Sequence, residues 1–398
     1  MIFIYEDAWE NFQPLSLMRP VSEIKCGALS FREKIERLLN TRTRLIVRDE
    51  LLDLLPALWP QIAAGANHVP EGRHLFVVAG TLLTEPLPFW NKDEILLDAN
   101  EQVIGVATDK LTGYQTPKSI ADFLDSANIP QYKLPARRIN YPWEIFPSLE
   151  LELRRDFKGV GRFTSIDTNV IIYGDALRVE ENAVIEAGTI IDTRKGPVTV
   201  GQGSVLKGHN FIEGPCYIGA NSVVDSARLR AGSVLGPVCR VGGEVEASIF
   251  HGYVNKHHEG FIGHSYLGEW VNLGAMTTNS DLKNNYSEVK VRFRDKIIST
   301  GTIKFGCIIG DHTKTSIGTL IPTGAIIGIF ANILGGGLCS KNLASFSWGE
   351  TERYNLSQLT KTVEKVMSRR DVELSEDLLS YISSLYQKRA FSEVKNDE

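Results

Sequence analysis

The sequence predicts two fused folds: an α/β domain at the amino-terminal end, and a left-handed parallel β-helix of hexapeptide repeats over roughly residues 165–345. Three observations predict this. Short apolar strands alternate with helical stretches as far as residue 140; aliphatic residues then recur every six positions; and a helical stripe follows the last repeat. The expected division is 1–140 for the α/β domain, 141–164 for a linker, 165–345 for the coil and 346–398 for a carboxy-terminal helical cap.

In the first region MIFIY, LIV (45–47), LFVVAG (75–80), EILLD (94–98) and QVIGVAT (102–108) read as strands. SFREKIERLLN (30–40) reads as a helix. Ser30 is its N-cap, Glu33 completes a capping box, and Phe31, Ile35, Leu38 and Leu39 share one face. ADFLDSA (121–127) reads as a second helix, and NYPWEIFPSLELELRRDF (140–157) as a linker leading into a short one.

The repeat runs through Val179, Ile185 and Ile191, then Val200, Leu206, Ile212, Ile218 and Val224. After a one-residue slip it resumes at Leu229, Leu235 and Val241, and later at Ile303, Ile309, Thr315, Ile321, Ile327 and Ile333. Neither helix periodicity nor strand alternation gives a period of six. A coil with flat faces does, one strand and one turn per face, its aliphatic residues stacking inward from coil to coil. Such coils draw stability from their neighbours and need capped ends. Leu356, Leu359, Val363, Val366 and Met367 supply a helical stripe for that purpose.

Bulk properties narrow the function. The 398 residues carry a net charge of −5, which gives no footprint for general nucleic-acid binding. The opening MIFIYEDAWE has no basic leader, and no apolar run approaches the ~20 residues of a membrane span. The cysteines at 26, 216, 239, 307 and 339 form no C-x-x-C pair, which argues against a disulfide framework or structural zinc and for a reducing cytoplasm.

Between Val245 and Ile303 the hexads give way to polar sequence with histidines at 251, 257, 258 and 264. Three readings are open: an imidazole acting as general base beside Lys and Asn, a metal site of unfamiliar spacing, or a solvated loop.

Within this stretch GHSYLG (263–268) followed by VNLGAMTTN (271–279) resembles the active-site coil of hexapeptide acyltransferases. It is most similar to the acetyltransferase half of bifunctional UDP-N-acetylglucosamine pyrophosphorylase/glucosamine-1-phosphate acetyltransferases. The resemblance implies His264 as general base, with Tyr266 and Asn272 in the catalytic constellation. It also implies Asn279 and Lys283 as substrate contacts and acetyl-CoA as a co-substrate. His264 precedes Tyr266 by two residues where that family has three, and Met276 replaces a glycine.

PLSLMRPVSEIKCGALSFREK (14–34) likewise resembles the opening of sugar-1-phosphate nucleotidyltransferases. That likeness implies Arg19 and Lys25 as triphosphate contacts and Mg²⁺ as a cofactor. The Gly-rich loop of that family is replaced by YEDAWENFQ, and the strand expected to end in a metal-binding Asp reads Val78-Ala79-Gly80-Thr81. Asp98 is the alternative ligand or a turn residue. The expectation is a sugar-1-phosphate nucleotidyltransferase that resembles UDP-N-acetylglucosamine pyrophosphorylase and extends to acetylation of glucosamine 1-phosphate. Its partners would be a nucleoside triphosphate and a sugar 1-phosphate, and its assembly a homotrimer with neither nucleic acid nor membrane bound. The alternatives are a sugar-nucleotide-binding scaffold and an acyltransferase only.

Overall fold

The computed structural model describes residues 1–88, 91–157, 167, 169–294 and 296–388. The end of the expected linker, 158–164, and the last ten residues lie outside these.

The first region forms a mixed sheet from β1 (Ile2–Tyr5), β2 (Arg44–Ile46), β3 (His74–Val78), β4 (Glu94–Leu97), β5 (Val103–Thr108) and β6 (Gln131–Lys133). Their spatial order is β2-β1-β3-β5-β4-β6. β1 is parallel to both β2 and β3, whereas β5 runs antiparallel to β3 and β4. Helix α1 (Phe31–Leu39) has the expected capping box, with Ser30 and Glu33 each accepting the other's backbone N–H. Helix α2 (Pro117–Ser126) begins earlier than the hydrophobic pattern suggests, because Thr116 caps it and Pro117 opens it. Helix α3 (Leu149–Asp156) is tied back to α1 through Lys34, whose ammonium lies 3.0 Å from Glu152.

From Ile171 to Trp348 the chain winds as a parallel β-solenoid. One nine-stranded face stacks Val179, Val200, Ile218, Leu235, Phe250, Leu267, Ile309, Ile327 and Leu343 inward in direct register. A second inward ladder holds Ile185, Leu206, Val224 and Val241, and a third Ile191, Ile212, Leu229, Val245 and Ile262. The slip before Leu229 is a bulge between Val224 and Ala227.

Two expectations are corrected. Ile303 stands 49% exposed and belongs to no ladder. The interruption is also much shorter than Val245–Ile303, because strands at 249–250, 255–256, 261–263, 266–267 and 278–279 keep the coil going. The hexad pattern fades there because two inward positions are polar. Lys256 pairs in register with Val241 on the second ladder. Asn279, on the third ladder, pairs with Ile321. The true insertion leaves after Asp281 and returns at Phe305, and it contains the antiparallel hairpin Lys290–Phe293/Lys296–Ser299.

The outer side of the nine-stranded face explains how the halves join. Val234, Ile249, Tyr266 and Ile308 point outward in register yet are fully buried, within the same apolar cluster as the amino-terminal core. Each such burial is worth roughly 2 kcal/mol. Trp143, from the segment after the sheet, meets Phe293 and Phe305 of the solenoid edge-on at 5.7 and 6.2 Å. At one corner Tyr253, Trp270, His312, Phe330 and Phe346 stack ring on ring, all with φ between 54° and 65°.

Helices α4 (Leu356–Ser368) and α5 (Glu376–Lys388) follow the last coil, as expected. They pack against both folds: Tyr386 meets Phe346 of the coil, while Tyr381 donates to the Leu17 carbonyl at 2.8 Å and Lys388 pairs with Glu50 at 2.9 Å in the first region. The stripe Leu359, Val363 and Met367 is buried as its spacing predicts. No helix among the described residues is long and apolar enough to cross a membrane.

Candidate functional site

His264 occupies a corner of the coil with φ 45°, between the strand of Ile262 and that of Leu267. Its backbone is pinned on both sides: its N–H donates to Glu246 at 3.0 Å and its carbonyl accepts from Gly306 at 2.9 Å. The side chain turns toward Asp281, where Nδ1 meets Oδ2 at 2.7 Å. Asp281 is the last residue before the insertion, and its carbonyl accepts the Phe305 N–H at 2.9 Å, closing the insertion's neck. Lys304 stands in the same neck, 3.4 Å from Glu246. A methyl group at Gly263 would meet the Phe261 ring and, 2.7 Å away, the Asp281 carboxylate, so the glycine makes room for both.

The chemistry follows from the geometry. An Asp on one ring nitrogen fixes the tautomer and leaves Nε2 to exchange a proton. Among the described residues Nε2 has no hydrogen-bond partner, and the His264 side chain is 14% exposed. Burial works to raise the Asp281 pKa, but the hydrogen bond and charge of His264, with Lys304 behind, bring it below the usual carboxylate value. Sequence assigned no role to Asp281, Lys304 or Glu246, which lie far apart along the chain and meet only once the coil is wound.

The other expected residues lie elsewhere. Tyr266 faces the amino-terminal domain, fully buried; its hydroxyl accepts the Lys25 N–H at 2.9 Å and lies 2.9 Å from His251 Nδ1. Burial, aided by Arg19 and Lys25, drives the His251 pKa well below its ordinary value, so the ring is neutral and Tyr266 donates to it. Asn272 sits on the outer side of another face, accepting from Asn255 at 2.9 Å. Asn279 points inside, where its amide is taken up by both backbone groups of Gly263. Lys283 lies in the insertion, donating to the Glu288 carbonyl at 2.7 Å. His257 and His258 meet edge to face, and no group of three metal-binding side chains occurs among the described residues.

Arg19 also departs from expectation. The guanidinium expected to meet a triphosphate turns into the solenoid, 1% exposed, 2.7 Å from Asp311 and 3.4 Å from Glu269. Lys25 lies beside it through its contact with Tyr266. Phe12 lies 3.4 Å from where a Gly80 side chain would begin, and Glu6 is paired with Arg48 at 2.6 Å. Carboxylates for a Mg²⁺ ion are likewise committed. Asp98 accepts the N–H groups of Asn100, Gln102 and Arg138, and Asp7 is paired with Arg138. Among the described residues these carboxylates do not come together as a metal site.

With this geometry in view, comparison with known proteins is informative. Residues 1–162 match the sugar nucleotidyl transferase family. A bifunctional sugar-1-phosphate nucleotidylyltransferase/acetyltransferase of Sulfurisphaera tokodaii is 32% identical over 182 residues, 45% of this chain and 40% of that protein. The bifunctional protein GlmU of a Cyanothece species is 29% identical over 199 residues, 45% and 39% of the two chains. YaiX of Escherichia coli, a putative uncharacterized acetyltransferase, is 29% identical over 151 residues, 37% of this chain and 66% of that one. The match thus spans about two fifths of the bifunctional relatives' own length.

Proposed function

We propose that this chain is a sugar-1-phosphate transferase of the bifunctional type, joining nucleotidyl transfer to acyl transfer onto an amino sugar 1-phosphate. The observation that carries the acyl half is the His264–Asp281 pair at the insertion's neck. With acetyl-CoA as donor, His264 Nε2 takes the proton of the acceptor amine as its nitrogen bonds to the thioester carbon. The C–S bond then breaks and the thiolate leaves with that proton, while Asp281 holds Nδ1–H throughout. The nucleotidyl half rests on the family match over residues 1–162 and on the printed activity of the Sulfurisphaera relative. UDP-N-acetylglucosamine is the proposed product, by the resemblance of the GHSYLG coil.

A second reading, acyl transfer alone, is favoured by one observation: Arg19, expected at a triphosphate, is spent on Asp311. One assay separates the two. The protein is incubated with glucosamine 1-phosphate, its N-acetyl form, acetyl-CoA, Mg²⁺ and each nucleoside triphosphate, and pyrophosphate and free thiol are followed separately. Both products support the bifunctional reading, thiol alone selects the acyltransferase, and neither supports a binding scaffold. His264→Ala is expected to lower thiol release at least 100-fold; full retention would remove it from the base role.

We further propose a homotrimer. Met276, Ile317, Leu320, Leu334 and Leu338 are 43–74% exposed in the later coils, with Leu320 and Leu338 paired across one sheet, and a second copy would cover them. A one-subunit mass by gel filtration with light scattering would count decisively against this. Five free, buried cysteines support a cytoplasmic location.

A further inference from the structure

The inserted loop gathers ammonium groups that have no carboxylate to answer them. Lys283 Nζ donates to the Glu288 carbonyl at 2.7 Å, and Lys341 Nζ to the Lys290 carbonyl at 3.4 Å. Both charges therefore collect on the stretch 288–290, next to the exposed Lys290. Nearby acids are turned away. Glu288 reaches toward Gly301, Glu350 accepts the Ser340 N–H at 2.8 Å, and Asp281 is held by His264. Among the described residues neither Lys283 nor Lys341 has an ion-pair partner. Burial, and after it the charge of Lys283, holds the Lys341 pKa below its ordinary value.

Position gives this cluster a direction. The corner that begins at His264 continues through Gly306, whose N–H meets the His264 carbonyl, to Gly324, whose N–H meets that of Gly306. Lys341 follows, its Cε 3.4 Å from where a Gly324 side chain would begin. Three coil rises of about 4.8 Å place Lys341 roughly 14 Å from His264 along one edge.

We propose that Lys283 and Lys341, with Lys290 beside them, form a phosphate-binding subsite for the nucleotide end of a coenzyme A thioester whose acyl group reaches His264. The choice of donor rests on the acyl-transfer reading; the affinity for phosphate does not. The probe is coenzyme A itself, titrated calorimetrically into the full chain, with glucosamine 1-phosphate in a parallel arm.

The double variant Lys283→Ala/Lys341→Ala is expected to bind coenzyme A at least tenfold more weakly, with a shallower salt dependence and unchanged affinity for glucosamine 1-phosphate. Lys283→Arg/Lys341→Arg, which keeps both charges, should stay within threefold of the parent. Unchanged coenzyme A binding in the alanine variant overturns the proposal, as does a parent protein that does not bind it. Loss confined to glucosamine 1-phosphate overturns the donor assignment and gives the cluster to the sugar. Because binding is read without turnover, absent thiol release with intact lysine-dependent binding would sink the acyl-transfer reading and leave the subsite standing.

Discussion

His264 and Lys256 show how much a single side chain can carry in a repeating fold. Asp281 is a positioning residue: it touches the imidazole, not the reactants. Asp281→Asn should lower turnover by tenfold or more while leaving sugar-phosphate affinity near the parent value, measured as a kcat-against-KM split. Lys256 presents a different case. It fills an aliphatic position inside the coil and donates to the Gly242 and His258 carbonyls at 2.7 and 2.9 Å. Burial pulls its pKa down to about 8, against an ordinary 10.5. Between those values the unfolded chain holds a proton that the folded chain has shed. Stability therefore gains with rising pH from about 8 to 10, by on the order of 1 kcal/mol per unit from this group. Denaturant titrations at several pH values should show that slope, and Lys256→Met should lack it. Such residues hid from the sixfold pattern because a long aliphatic stem satisfies the ladder sterically while its type reads as a break.

At the level of elements, the coil itself was legible and its accessories were not. Aliphatic spacing marked Val200, Leu206 and Ile212 because an inward ladder admits little else. The insertion's limits were misread because polar Lys256 and Asn279 stand inside regular coils. The aromatic corner was also unreadable, since Tyr253, Trp270, His312, Phe330 and Phe346 share a conformation rather than a period. Left-handed backbone at non-glycine residues costs about 1 kcal/mol each, and ring stacking offsets a similar amount per pair. Phe330 lies at the centre of the later stacks, 4.8 Å from His312 and 5.3 Å from Phe346. Phe330→Ala should cost about 3–5 kcal/mol in chemical denaturation, as for other large core truncations.

For the molecule as a whole, the decisive contact is the ion pair of Arg19 with Asp311, which joins the two folds across 292 residues of chain. Desolvation raises the Asp311 pKa although Arg19 works against it, so the pair is stable only together. Arg19→Met should cost about 3–5 kcal/mol by stranding a buried carboxylate, and adding Asp311→Asn should recover much of that loss. Unfolding midpoints for the single and double variants test this. Sequence could name Arg19 as exceptional but not say where it points, because its partner lies in the other fold. Tyr266 and Lys25 were legible as unusual in the same limited sense, and the same distance along the chain concealed their meeting.

The outward wall formed by Val234, Ile249, Tyr266 and Ile308 has a consequence for how this protein can be taken apart. Severing the gene near residue 160 would free a prism with one greasy side bared to water, and a front piece missing its floor. The fragments should clump when produced alone and dissolve when produced together. Neither half could be traded between proteins without carrying its counterpart along.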